Sequence, residues 1–150
     1  ERPRPTRAPT LVDELDVADV IDEEEHAYLA PLPHGGWTTL DVLVDEAGAR
    51  RFDGGRVIPA GATESFVAKA SARGPLTLRV RIDSGAGAVV LRRARATTAL
   101  VLAPPRDGRW RYATAPLDRV DAGEVLTLEA SGGEYRDYHV WIERPAAVAY

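Results

Sequence analysis

Apolar and polar residues alternate with a period of two along much of this chain. The clearest run is Leu76 to Asp83, where Leu76, Leu78, Val80 and Ile82 face one way and Thr77, Arg79, Arg81 and Asp83 the other. That is a strand with one buried and one solvated face. Trp37 to Val44 repeats the pattern, with Leu40, Val42 and Val44 on one face and a turn at Asp45 to Gly48. Arg56 to Ile58, Glu64 to Ala70, Ala88 to Leu91, Leu100 to Leu102, Trp110 to Thr114 and Val125 to Glu129 read as further strands. Turns are marked by Pro59-Ala-Gly61, Ser84-Gly-Ala-Gly87, Pro104-Pro105 with Gly108, Pro116-Leu117, Asp121-Ala-Gly123 and Ser131-Gly-Gly133. Tyr138-His-Val-Trp-Ile142 forms the last strand. Short strands separated by Gly/Pro turns, without a long helical pattern, predict an all-β antiparallel sandwich.

Two segments depart from this rhythm. Residues 1–10 hold three prolines and read as a linker or extended Pro/Arg-rich arm, leaving 11–150 as a single β-sandwich domain. Asp13 to Glu25 is an acidic block with no base in it. Leu11, Val12 and Leu15 share a helical face, while Val17, Val20 and Ile21 keep that spacing imperfectly. The block reads as a short helix or an irregular edge segment with a solvated acidic face.

The segment from Trp110 to Ile142 resembles the C-terminal part of galactose-binding-like jelly rolls, a superfamily that includes many carbohydrate-binding modules. Gly108-Arg-Trp110, Pro116-Leu117, Gly123 and the aromatic strand Tyr138 to Ile142 carry the resemblance. Glu23 to Tyr28 is similar to the acidic, tyrosine-ending first strand of such modules. The resemblance implies a jelly-roll fold with first and last strands adjacent. On that implication a structural calcium site could form from Glu23, Glu25 and Asp137, because calcium takes carboxylate oxygens. No other cofactor is expected.

Composition narrows the function classes. At 150 residues the chain fits one domain. A net charge of −4 argues against a nucleic-acid binder. The best basic and aromatic grouping, Arg92, Arg93 and Arg95 with Arg109, Arg111 and Tyr112, is scattered. Cysteine is absent, which excludes disulfides, thiolate metal sites and a cysteine nucleophile. Methionine is absent too, including at position 1, as expected of a processed form or an excised piece. No apolar run approaches the ~20 residues of a membrane span, so no membrane insertion is expected. Lys69 is the only lysine, a bias that a GC-rich genome explains.

Catalytic signatures are missing from the sequence. There is no Gly-x-Ser-x-Gly elbow, and Ser84-Gly-Ala-Gly87 lacks the Lys and Ser/Thr of a phosphate loop. His26, His34 and His139 fall in no metal spacing. Regular alternation along the last strand places Tyr135, Asp137, His139 and Trp141 on one face. That set forms either a ligand platform, with rings for sugar faces and polar groups for hydroxyls, or a second core layer. Trp37, after Pro33-His-Gly-Gly36, is either a ring presented by an edge loop or a core anchor. Trp110 reads as core. The expectation is a non-catalytic accessory module of an exported protein, at the cell surface or outside it, that binds carbohydrate or a surface polymer through Trp37, Tyr135, Asp137, His139 and Trp141. The alternative is a structural subunit of an extracellular or viral assembly that uses the arm for subunit contacts.

Overall fold

The computed structural model describes residues 9–30, 37–45, 47–94 and 96–146, without the side chains of residues 37–40. Residues 1–8 of the predicted arm, His34 and the glycines before Trp37 lie outside the described residues. Among the described residues eleven strands and one helix follow in order: β1 (Thr10–Asp16), α1 (Val20–Glu25), β2 (Trp37–Val44), β3 (Arg50–Ile58), β4 (Thr63–Val67), β5 (Ala72–Ile82), β6 (Val89–Arg92), β7 (Thr97–Ala99), β8 (Val101–Leu102), β9 (Arg111–Val120), β10 (Val125–Ala130) and β11 (Tyr135–Arg144). They form an antiparallel sandwich of two sheets. The larger runs β2-β3-β11-β5-β9-β8, with β1 also paired to β11, and the smaller runs β4-β10-β6-β7. The first and last strands are therefore neighbours.

The core lies between the sheets. Leu76, Leu78, Val80 and Ile82 of β5 are all buried, as the period-two pattern requires. Leu91, Leu126 and Leu128 from the smaller sheet meet them, with Val140 and Ile142 of β11. Fully burying each such side chain contributes roughly 1.5–3 kcal/mol.

Three expectations are corrected. The acidic block is neither a short helix throughout nor an irregular edge segment: a strand, β1, leads into a short helix, α1. β1 inserts Leu15 into the core, and Asp19 then caps α1 by accepting the Asp22 N–H at 3.0 Å. Glu23 to Glu25 thus end α1 and His26 to Tyr28 follow it, so the segment is not a first strand. Pro116 sits inside β9, opposite Thr77, rather than in a turn. β8 pairs with β9 only at Ala113 and Thr114, so past that point the β8 side of β9 asks for no ladder bond.

β11 does not alternate regularly. Asp137 pairs with Ile82 and His139 with Arg81, which leaves Tyr138 as an extra residue in a β-bulge. The bulge shifts the strand by one residue. Tyr135 and Asp137 point inward before it, and Val140 and Ile142 point inward after it.

The β2–β3 hairpin leaves the large sheet early. Only Arg56, Val57 and Ile58 pair with β11. The far end of the hairpin is tied to the segment before β9 instead. Val44 N–H donates to Gly108 O at 3.0 Å, and Trp110 N–H donates to Val44 O at 3.3 Å. The hairpin therefore reaches over the outer face at the Ile82 end of β5.

Candidate ligand-binding face

The outer face of the large sheet is built from the polar positions of β11, β5, β9 and β1. Trp141 is at its centre. The His139 ring stacks on the indole at 4.2 Å and 26°, and the Arg79 guanidinium lies 4.1 Å from the indole centroid. Two flat groups that close to one centroid cannot share a face, so the indole is covered on both sides. Arg81 adds a third contact at 5.3 Å, and Tyr112 lies 6.2 Å away. Cation–π contacts of this kind contribute about 0.5–2 kcal/mol each.

Carboxylates surround this stack. Glu14 Oε2 lies 3.1 Å from His139 Nε2, and Asp16 Oδ1 lies 3.5 Å from His139 Nδ1. Burial holds the Asp16 carboxyl above its ordinary value, against the pull of His139. Arg79 donates to Glu143 at 2.8 Å, and Arg81 donates to Asp53 at 2.9 Å and to the Tyr112 hydroxyl at 3.2 Å. Beside the stack, Arg51, Phe52 and Asp53 of β3 form one wall of a shallow groove of about 500 Å³, floored by Arg81, His139 and Trp141. Phe52 is 67% exposed, a ring open to solvent. Donors, acceptors and an exposed ring along one groove can bond hydroxyls and cover an apolar ring face.

The bulge at Tyr138 divides the expected platform. His139 and Trp141 are together on the outer face. Tyr135 and Asp137 are fully buried on the inner side and take no part in a solvent-facing site. Trp37 opens β2, and its side chain lies outside the described part of the chain. Trp110 is buried as expected, but on the outer side of the sheet, against Tyr138 at 5.5 Å, and not in the main core. Arg79, Arg81, Tyr112, Asp16, Phe52 and Asp53 were not among the expected site residues. The wet face of β5 was the visible signal for the first two. Phe52 and Asp53 arrive from a distant hairpin and leave no local trace.

Of the calcium ligands expected from the resemblance, Glu23 lies near enough to Asp137 to add to the rise that burial gives its carboxyl, but each of the three is engaged elsewhere. Glu23 pairs with Arg56 at 2.6 Å, Glu25 pairs with Lys69 at 2.7 Å, and Asp137 is buried beside Glu64. Among the described residues no group of three or more His, Asp or Glu is placed to hold a metal ion. Arg92 and Arg93 are spent on Glu129 and Glu124, and Arg111 on backbone carbonyls. No described helix is long and apolar enough to cross a membrane.

The fold has close counterparts among solved structures. The module CBM6cm-2 of Cellvibrio mixtus lichenase 5A, solved with cellotriose, superimposes with a TM-score of 0.50 at 14% identity, over 90% of this chain and 98% of that one. This chain shares the β-sandwich fold of that module. The C-terminal family 6 module of the marine laminarinase LamC from Zobellia galactanivorans gives a TM-score of 0.49 at 12% identity, over 89% of this chain and 99% of that one. No protein-family model and no curated protein matches the sequence.

Proposed function

We propose that this chain is a non-catalytic carbohydrate-binding module, residues 11–150 forming one domain that serves an exported protein at or outside the cell surface. Its ligand is a neutral, hydroxyl-rich polymer held on the outer face. The observation that carries this reading is the groove beside Trp141, lined by Asp16, Asp53, Arg81 and His139 together with Phe52, whose ring is open to solvent. The fold shared with a module solved with cellotriose supports it, although a fold alone does not assign function. Each guanidinium facing the groove is matched by a carboxylate, which favours a neutral ligand over a polyanion.

The test is calorimetric titration with neutral β-linked hexasaccharides: cellohexaose, laminarihexaose and xylohexaose. At least one binds. Phe52→Ala removes the exposed ring and Trp141→Ala removes the scaffold of the stack. Each weakens binding about tenfold or more, the equivalent of roughly 1.4 kcal/mol, with far-UV circular dichroism unchanged. Full binding by both variants would place the ligand elsewhere, and no binding by the native chain would end the carbohydrate reading.

A further inference from the structure

The groove ends against the β2–β3 hairpin, and what lies under that hairpin is more aromatic than the groove itself. Trp110 and Tyr138 are 5% and 1% exposed, yet neither belongs to the main core. They are covered from outside. The Trp110 Nε1–H is buried and has no hydrogen-bond partner among the described residues. A buried donor left unpaired costs about 1–3 kcal/mol, a penalty that a polar occupant would relieve.

The hairpin that covers them has the build of a movable strap. At its middle two carboxylates face the sheet and two apolar side chains face solvent, the reverse of a packed strand pair. Asp41 and Asp53 point to the sheet, whereas the cross-strand pair Val42 and Phe52 is 47% and 67% exposed. Beyond Arg56, polar ties hold the hairpin down. Tyr138 OH donates to Asp41 at 2.5 Å, Arg81 donates to Asp53 at 2.9 Å, and two backbone bonds join Val44 to Gly108 and Trp110. Gly54 and Gly55 stand where β3 leaves β11. Two consecutive residues without Cβ let the backbone rotate there at low steric cost.

We propose that the hairpin from Asp41 to Asp53 forms a strap that opens about Gly54-Gly55 and the paired Leu40, and that a neutral glycan chain extends from the groove onto Trp110 and Tyr138 beneath it. The inference rests on the carbohydrate reading. Lifting the strap removes Asp41 from Tyr138 and Asp53 from Arg81. The Tyr138 hydroxyl, the Arg81 guanidinium and the Trp110 Nε1–H then donate to sugar hydroxyls, and the two rings meet the apolar sugar faces. Short oligosaccharides fit in the open groove alone, while longer ones need the strap to move.

Val44 and Arg109 face each other as a bridged pair, and the chain has no cysteine. Val44→Cys with Arg109→Cys therefore forms a single reversible lock. The hexasaccharide bound by the native chain binds the oxidised variant about tenfold or more weaker than the reduced one, and cellotriose is held equally by both. Equal hexasaccharide affinity in the two forms overturns the strap and leaves the carbohydrate reading standing. Hydrogen exchange gives a readout without ligand. In the native chain the Val44 and Trp110 amides exchange by local opening, about a hundredfold or more faster than the Val80 amide. Exchange no faster than Val80 also overturns the strap. Fast strap exchange with no hexasaccharide bound overturns the carbohydrate reading, and the occupant assigned here falls with it.

Discussion

Asp137 and Glu64 are two acids buried side by side between the sheets, 0% and 2% exposed. The Tyr28 hydroxyl donates to Glu64 at 2.7 Å. Among the described residues neither Asp137 oxygen has an ordinary donor, and the Glu64 carboxyl lies against it. Two carboxyls bond each other only when one keeps a proton. Burial first, and then the charge of Glu64, pushes Asp137 well above the usual carboxylate range, and burial raises Glu64 as well. In the unfolded chain both acids titrate near ~4. Their contribution to stability is thus complete below about pH 4 and is lost as pH rises through the raised folded values, at up to ~1.4 kcal/mol per pH unit for each proton. Asp45 works in the opposite sense, because the bond from Arg51 holds its carboxyl low. The difference between variants isolates the pair. Asp137→Asn gives Glu64 an amide donor that does not titrate. In thermal denaturation its Tm equals or trails the native Tm near pH 4 and overtakes it by pH 8. A native advantage that grows with pH would refute the shared proton.

At the scale of elements, the bulge at Tyr138 decides what β11 presents. It also explains what could be read in advance. The period-two run of β5 is uninterrupted, so its buried and wet faces were legible to the residue. The same rule applied across Tyr135 to Glu143 failed at one inserted residue, for which Asp-Tyr-His carries no composition signal. The α1 start was legible in principle, since Asp19 stands three residues before Asp22 and just before an apolar pair, but the density of acids hid it. The bulge also fixes Gly55. A Cβ there would collide with the Asp137 carbonyl oxygen and the Tyr138 ring. Gly55→Ala therefore costs about 1–3 kcal/mol in urea unfolding, as overpacking does. Gly61, with a φ of +77° and no neighbour near its Cβ position, provides the comparison: Gly61→Ala costs only its left-handed backbone strain, about 1–2 kcal/mol. An unchanged midpoint for Gly55→Ala would mean that β3 and β11 separate easily at that point.

At the scale of the whole molecule, the charges argue about the ligand. The net charge is −4, and the guanidiniums of the outer face are already matched: Arg79 with Glu143, Arg81 with Asp53, Arg51 with Asp45 and, at 3.7 Å, Arg136 with Asp41. A polyanion would have to displace these carboxylates against a field that repels it, whereas a neutral sugar leaves Arg79 with Glu143 and, where the strap lifts, offers Arg81 hydroxyl acceptors without bringing any charge. Salt separates the two cases, because the screening length shrinks from about 10 Å at 0.1 M to about 3 Å at 1 M. Affinity for the bound hexasaccharide changes by less than about twofold over that range, since stacking and short hydrogen bonds need no long-range field. A tenfold or greater fall, about 1.4 kcal/mol, would mean that the ligand carries charge and that Arg79 and Arg81 exchange their carboxylate partners for it.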